Sequence, residues 1–297
     1  MEKVRHTTDT SLDLQLPLFL VFLLIYLTAL SGNLLILLLI FTDSHLHTPM
    51  YFFLGTLACL DMSCSSVIVP RMLFDLLRET RIISVPACIT QFYFFSLFIM
   101  SVLAVMSYDR YVAICRPLHY MQIMTWNICV QFVSGVLFIS TLYSLVHTLF
   151  LMKLTFCLPN VLQSFFCDLP QLHGASCSDT LTNRLLIFLL GLLLGVGILG
   201  STFYPYIPII TTVLKMNSKL TRSKAFSTCS SHLTVVFIFY TAGFFNYLRS
   251  NANDHLVEEK VASVFFAILT PSINPVIYSL RNQELKLSLR RTLQKLK

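Results

Sequence analysis

Hydrophobic residues in this chain form long uncharged runs. Six runs of at least 20 residues contain no Asp, Glu, Lys or Arg, and a seventh segment, 44–70, holds only Asp61. A helix needs about 20 apolar residues to cross a bilayer, and lipid cannot satisfy free backbone polar groups. The pattern therefore predicts an all-α membrane protein, a single domain over 1–297 with seven transmembrane helices. The spans are expected at about 18–40, 50–77, 87–113, 128–150, 185–214, 226–248 and 261–280.

The last segment, 282–297, has a different pattern. Leu285, Leu289, Leu293 and Leu296 recur near helical spacing, and Lys and Arg residues lie between them. This arrangement predicts a short amphipathic C-terminal helix that lies on the membrane surface, with its basic face toward anionic lipid.

The composition narrows the class of protein. Hydrophobic residues make up 56% of the chain and charged residues 12%, whereas soluble domains carry about 25% charged residues. A soluble enzyme, a nucleic-acid binder and a disordered chain are excluded, so the net charge of +7 does not indicate nucleic acid. The apolar run that follows Pro17 is too long for a signal-peptide core, and we expect it to be retained as the first span.

The Lys and Arg residues indicate the orientation of the spans. Twelve of the 21 lie in 41–49, 109–127, 215–225 and 281–297, and nine lie on the other side of the membrane. Positive residues accumulate on the cytosolic side of membrane proteins. The N-terminus is therefore expected outside the cell and the C-terminus in the cytosol.

Four of the nine cysteines fall on the predicted outer side, where disulfides persist. Cys157, Cys167 and Cys177 lie in the long loop 151–184, and Cys88 opens the third span. Four cysteines allow three pairings, and the residues alone do not choose among them. The other five cysteines are interpreted as small buried apolar residues.

Asp61 lies inside the second span, where a charge costs roughly 2.5–3.5 kcal/mol on insertion scales. Such a residue is expected to face other polar groups, and Asn33 and Asn274 are candidate partners in the first and seventh spans. The alternative interpretation is a protonated acid that only joins helices. No cofactor or metal is predicted, apart from a sodium ion that Asp61 could hold.

Two landmarks lie on the predicted cytosolic face. Asp109 and Arg110 close the third span, and Asn274, Pro275 and Tyr278 lie near the end of the seventh. Proline removes a helical hydrogen bond and allows a kink. An ion pair beside a kink is a plausible two-state element. The alternative for Arg110 is a side chain that snorkels to the interface.

Motifs typical of enzymes and metal sites are missing from the sequence. There is no His-Glu-x-x-His, no Gly-x-Ser-x-Gly and no phosphate loop, so we predict that the protein is not an enzyme. Cys229 and His232 have metal-like spacing, but no second ligand pair accompanies them.

Five motifs in a fixed order resemble the vertebrate olfactory receptors, a branch of the rhodopsin-like G-protein-coupled receptors. The first span contains Gly32-Asn33, and residues 46–54 read LHTPMYFFL. Residues 106–115 read MSYDRYVAIC, 224–233 read KAFSTCSSHL and 271–282 read PSINPVIYSLRN. The resemblance extends from about residue 14 to residue 293.

The resemblance implies an odorant receptor of the plasma membrane that binds a small volatile and activates a heterotrimeric G protein of the olfactory stimulatory type, which raises cyclic AMP. It implies the disulfides Cys88–Cys167 and Cys157–Cys177. It also implies that Arg110, Tyr206 and Tyr278 form the activation switch, with Tyr240 below the ligand.

The chain departs from the family pattern in four places. Cys88 and Arg110 are 22 residues apart, about three fewer than usual, and Ile99 stands where the family often has a glutamate. At 1.5 Å per residue this shifts the outer third helix by about 4.5 Å. The fourth span lacks the usual tryptophan, and Pro205 and Pro208 crowd the fifth. The N-terminus has no glycosylation sequon, so we expect weak delivery of the protein to the cell surface.

The predicted ligand pocket lies between the outer halves of the third, fifth, sixth and seventh spans. Its residues are almost all apolar and none is charged, so a neutral, mostly hydrophobic odorant with one hydrogen-bonding group is favoured. Ser96 and Tyr247 are the expected polar contacts, or each satisfies a backbone group. The predicted pocket residues are Phe95, Ser96, Ile99, Met100, Ile187, Leu190, Phe244, Tyr247, Val264 and Ala267.

Two alternatives remain open. The first alternative is a receptor of the same fold that binds a peptide or an amine. An amine receptor needs an acidic residue in the outer third helix, and 87–105 contains none. A transporter or channel is the other, although no internal repeat is visible.

Overall fold

A computed structural model describes residues 3–6, 12–78, 82–99, 102–156, 161–162, 166–169, 172, 176–177, 181–248 and 264–295. These residues form a bundle of helices, which confirms the predicted seven-helix membrane fold. Among the described residues, five helices are long and apolar enough to cross a membrane, and two shorter apolar helices lie at Cys229–Phe245 and Phe265–Ser279.

Four spans are single helices. The first is Leu12–Thr42, the second Pro49–Leu76, the fourth Trp126–Leu151 and the sixth Lys219–Leu248. The sixth helix begins seven residues before the predicted span, because 219–225 is helical although it carries charges. These residues continue the helix beyond the apolar part that fits the bilayer.

The third span is helical over Val85–Ile99 and Leu103–Cys115, on either side of residues that lie outside the described part of the chain. By length and composition, Val85–Cys115 is one candidate membrane span, which agrees with the predicted span 87–113. The second helix begins with the Met106 amide donating to the Val102 carbonyl at 2.9 Å.

The fifth span is broken at its prolines. Leu181–Phe203 and Tyr206–Lys215 are separate helices with Pro205 between them. Pro208 cannot donate to the Tyr204 carbonyl, and the Ile207 amide bonds that carbonyl instead, at 3.1 Å. The predicted span over 185–214 agrees with the candidate span Leu189–Lys215, and its helix is interrupted at the prolines that the sequence showed to crowd it.

The seventh span starts as a π-helix, Phe265–Leu269, and continues as an α-helix, Thr270–Arg281. The Thr270 hydroxyl donates to the Phe265 carbonyl at 2.9 Å, across the wider turn. Single π-turns inside helices are rare and often mark functional sites.

The predicted amphipathic helix is present at Gln283–Lys295. Asn282 caps it, because its Oδ1 accepts from the amides of Glu284 at 3.0 Å and Leu285 at 3.2 Å. The Tyr51 hydroxyl donates to the same oxygen at 3.1 Å. Leu285 is buried against the bundle, so the tail helix is fixed to the second span.

A second anchor joins the tail helix to the first cytosolic loop. The Asp43 carboxylate contacts Arg291 Nη2 at 3.0 Å and His45 Nδ1 at 2.9 Å. The nearby Ser288 hydroxyl, followed by His45 and Arg291, lowers the pKa of Asp43 to about 2. Asp43 is therefore ionised at neutral pH and stays bound to the basic tail.

Three short strands among the described residues were not predicted, although the fold class is all-α as expected. Strand β1, Lys3–His6, lies between β2, Ile82–Ser84, and β3, Val161–Leu162. It pairs antiparallel with β2 and parallel with β3. Strands of two to four residues are too short to show the alternating pattern that identifies a strand.

Candidate activation switch and ligand site

The predicted ion pair lies at the end of the third span that is predicted to face the cytosol. Asp109 Oδ2 and Arg110 Nη2 are 2.9 Å apart, and their side chains are 1% and 8% exposed. The Tyr120 hydroxyl, from the following loop, donates to Asp109 Oδ1 at 2.7 Å. Burial and the negative charge of Asp109 raise the pKa of Tyr120, so this phenol is a neutral donor.

The sixth span adds a residue to this region that the sequence did not single out as part of a switch. His232 is buried, and its Nδ1 forms a short hydrogen bond with the Tyr206 hydroxyl of the fifth span. Their rings are nearly parallel, at 17°. A polar residue inside an apolar span could have identified His232, as it identified Asp61. His232 was instead considered only as part of a metal-like pair with Cys229.

Arg110 carries the positive charge that acts on the other predicted switch residues and on His232. Its guanidinium acts electrostatically on Tyr206, His232 and Tyr278, so the structure brings the predicted switch residues together. The Tyr278 hydroxyl is buried and has no hydrogen-bond partner among the described residues. Higher in the bundle, the Tyr240 hydroxyl is 2.8 Å from Thr202 Oγ1, which joins the fifth and sixth spans.

Asp61 has the partner predicted from the seventh span but not the one from the first. Asn274 Nδ2 donates to Asp61 Oδ2 at 2.9 Å. Asn33 Nδ2 instead donates to the carbonyls of Ala29 at 2.9 Å and Pro271 at 3.3 Å. Pro275 lacks the N–H that would bond Pro271 in a regular helix, so Asn33 binds a carbonyl that Pro275 leaves free. The expected Asn33–Asp61 contact was wrong.

A small cavity lies beside Asp61. Its volume is about 20 Å³, and Asn274, Thr270 and Ile99 contribute to its wall. One water needs about 10–15 Å³ by this measure, so the cavity is large enough for one occupant of that size. Ile99, a predicted pocket residue, thus lies at the level of Asp61.

Four predicted ligand contacts belong to one buried cluster or pack against it. Phe95 and Ala267 are fully buried there, and Ile99 and Val264 pack against the cluster. Phe95 and Phe266 meet edge to face, with ring centroids 6.1 Å apart.

Two other predicted contacts point elsewhere. Phe244 is 60% exposed. A Cβ on the neighbouring Gly243 would lie 3.1 Å from the Phe266 ring, so this part of the sixth span turns Gly243 toward the seventh and Phe244 toward lipid. The Ser96 hydroxyl donates to Ser144 Oγ of the fourth span at 2.8 Å, because both groups are buried and need partners.

The remaining predicted contacts are only partly described. Leu190 lies in the outer fifth helix and is partly exposed. Met100 lies outside the described residues, as do the side chains of Ile187 and Tyr247, so these three stay predictions.

The outer loop is held against the third span. Cys88 and Cys167 form the disulfide that the resemblance implies, with their Cα atoms 5.4 Å apart. Gln91 Oε1 accepts from the Cys167 amide at 3.0 Å, and its Nε2 donates to the Val67 carbonyl at 3.2 Å. Gln91 therefore joins the loop to the second span, a role that no sequence signal indicated.

The second predicted bridge is only partly covered by the structure. The Cys177 amide donates to the Thr155 carbonyl at 3.1 Å, so the two ends of the loop lie side by side. Cys157 lies outside the described residues, and Cys157–Cys177 stays a prediction. Within the described part of the chain, no group of three or more His, Cys, Asp or Glu residues is placed to hold a metal.

Comparison with known proteins identifies the family. A family model described as "Olfactory receptor" matches residues 22–295. Human Olfactory receptor 5B12 is 45% identical over 96% of this chain and 92% of its own length. Mouse Olfactory receptor 5G25 is 47% identical over 96% of this chain and 91% of its own length.

A solved structure supports the fold. The crystal structure of squid rhodopsin superposes with a TM-score of 0.76 at 18% identity, and the match covers 98% of this chain and 88% of that one. At this identity the likeness concerns the fold alone. Together with the matches along the whole sequence, it leads to one conclusion: the chain belongs to the olfactory receptor family of G-protein-coupled receptors, which are signalling receptors of the membrane and not enzymes.

Proposed function

We propose that this receptor binds a small, neutral volatile in the outer half of its helix bundle and activates a heterotrimeric G protein of the olfactory stimulatory type. The observation that carries the proposal is the buried Asp109–Arg110 pair together with a cluster of buried apolar and aromatic side chains in the predicted ligand region. An unpaired charge in that cluster costs several kcal/mol, which favours neutral ligands. The chain is oriented with its N-terminus outside the cell.

The expected affinity is modest. A ligand of about 10 heavy atoms at roughly 0.5–0.8 kcal/mol each binds with about 5–8 kcal/mol. This corresponds to a dissociation constant between micromolar and a few hundred micromolar, which suits a reversible sensor. Ligand binding activates the receptor only as far as it favours the active arrangement of the helices.

The test is a cyclic AMP assay in transfected cells with alcohols, aldehydes, esters, carboxylates and amines of equal chain length. We expect neutral compounds to be the best agonists. Replacing Arg110 with Ala should abolish the cyclic AMP response while ligand binding persists, because the change removes the charge shared by Tyr206, His232 and Tyr278. A full response from Arg110→Ala, or carboxylates and amines as the best agonists, would contradict the proposal.

We also propose that Asp61 holds a sodium ion. A hard cation takes oxygen ligands, and Asp61, Asn274 and Thr270 offer a carboxylate, an amide and a hydroxyl around a space for one small occupant. Sodium chloride should raise the melting temperature of the purified receptor above that in choline chloride of equal ionic strength, and Asp61→Asn should remove this difference. Equal melting temperatures for the unmodified receptor in both salts would refute the site.

A further inference from the structure

The long outer loop places one aromatic side chain inside the bundle. Phe166 is completely buried, and its ring centroid lies 5.3 Å from that of Phe95, at an interplanar angle of 58°. It belongs to the same buried cluster as Phe266 and Ala267 of the seventh span. A residue of the loop thus occupies the region where the ligand contacts were predicted.

The backbone next to Phe166 is firmly attached. Cys167 is linked to Cys88 by the disulfide, and its amide is bonded to Gln91. The loop therefore cannot withdraw from the bundle without breaking these bonds. The Phe166 ring can leave its place by rotating about its own side-chain bonds, which requires neither bond to break.

Rotation of the Phe166 ring matters for ligand binding because the cavity that borders the cluster beside Asp61 is small. The cavity beside Asp61 has a volume of about 20 Å³, which is the size of a water and far too small for an odorant. The described members of the cluster are buried against one another, so a ligand that enters the cluster takes its volume from a side chain that moves. Phe95 and Phe266 lie on the spans themselves, whereas Phe166 comes from a loop.

We propose that Phe166 is a built-in occupant of the ligand site, and that the ligands of this receptor carry one benzene ring that replaces the Phe166 ring. The proposal rests on the proposed function as a receptor for small neutral volatiles. The space is shaped for a flat ring that meets Phe95 at a tilt. Aromatic pairs are favoured over apolar contacts of equal area by about two- to tenfold in binding constant.

The experiment measures binding to the purified receptor in lipid nanodiscs, without a G protein. The probes are benzyl acetate and cyclohexylmethyl acetate, which have the same number of heavy atoms and differ in the ring. The unmodified receptor should bind benzyl acetate at least twofold more tightly.

Variants at Phe166 test the competition between side chain and ligand. Phe166→Ala should bind benzyl acetate about tenfold more tightly, because no ring has to be displaced. Phe166→Leu should have an intermediate affinity, and it keeps the test valid if Phe166→Ala does not fold. A merely structural Phe166 predicts the opposite, a loss of affinity in both variants.

Phe53→Ala is the matched control, because Phe53 is also fully buried but lies in a different cluster, which includes Tyr278. Its affinity for benzyl acetate should stay within twofold of the unmodified receptor. Equal affinity for the two esters, weaker binding by Phe166→Ala, or the same gain in Phe53→Ala would each overturn the proposal.

The outcome is separable from that of the proposed function. A receptor that raises cyclic AMP with volatiles but fails the ring tests refutes only the role of Phe166. A receptor that passes the ring tests but never raises cyclic AMP refutes only the proposed signalling.

Discussion

Gln91 gives the most direct test of how the outer loop is held. Its side chain is 8% exposed and uses both ends of its amide, toward the Cys167 N–H and the Val67 carbonyl. Replacing Gln91 with Leu removes both hydrogen bonds at nearly constant volume. The change therefore separates the polar contacts from the packing of the side chain.

The two lost bonds have unequal consequences. The Val67 carbonyl lies inside the second-span helix and retains its helical donor one turn later. The Cys167 N–H is buried with its residue and is left without an acceptor, which costs about 1–3 kcal/mol. At about 2–4 °C per kcal/mol, the melting temperature should fall by about 2–12 °C.

The assay is thermal unfolding of the purified receptor under non-reducing conditions, so that the Cys88–Cys167 disulfide stays intact. Thr90→Val is the matched control, because Thr90 is the neighbouring residue, is exposed and bonds only the Pro86 carbonyl of its own helix. Exposed substitutions usually change stability by less than about 0.5 kcal/mol. If Gln91→Leu melts at the same temperature as Thr90→Val, the Gln91 contacts do not stabilise the loop.

Three further predictions follow from the described contacts. Peptide mapping without reduction should find Cys88 joined to Cys167 and Cys157 joined to Cys177; a Cys157–Cys88 peptide would contradict the assignment. Gly32→Ala should destabilise the receptor by about 1–3 kcal/mol, because its Cβ would lie 3.0 Å from the Pro275 ring, whereas Gly195→Ala, with nothing within 4 Å, should not. Because the pKa of Asp43 is lowered to about 2, its contribution to stability is complete above its ordinary pKa and is lost as the pH falls through about 2; the protection factors of the tail-helix amides, which are exchange rates corrected for their intrinsic pH dependence, should therefore be constant from pH 7 to 5 and fall near pH 2, and loss of protection already at pH 6 would refute the anchor.

The fold was largely predictable because charge is so expensive in a bilayer. Uncharged runs identified the spans, and the few polar groups inside them, such as Asp61 and Asn274, were correctly expected to meet. The Asp109–Arg110 pair followed from its place at a span end. These predictions depend on where each residue lies along the helix axis, and this position can be read directly from the sequence.

The rotation of each helix about its axis was harder to predict. In a soluble helix the polar face marks the outside, but lipid and the bundle interior are both apolar. Phe244 was therefore placed in the pocket although it is 60% exposed, and Ser96 was expected to face a ligand although it bonds Ser144. Sequence gave no signal for Phe166 or Gln91, because contacts between a loop and the bundle depend on the assembled tertiary structure.

The interrupted helices offer a route from the predicted ligand region to the predicted switch. Lipid offers no partner for a backbone group that proline releases, so each interruption needs a specific replacement, as Asn33 provides for the Pro271 carbonyl. Among the described residues, interruptions lie in the fifth span at Pro205 and in the seventh at its π-helix. Each of these two spans has a predicted ligand contact on one side of the interruption and a predicted switch residue on the other. Because a helix bends most readily where its hydrogen-bond ladder is already interrupted, we expect that a ligand that displaces side chains on one side can move Tyr206 and Tyr278 on the other without distorting an intact helix.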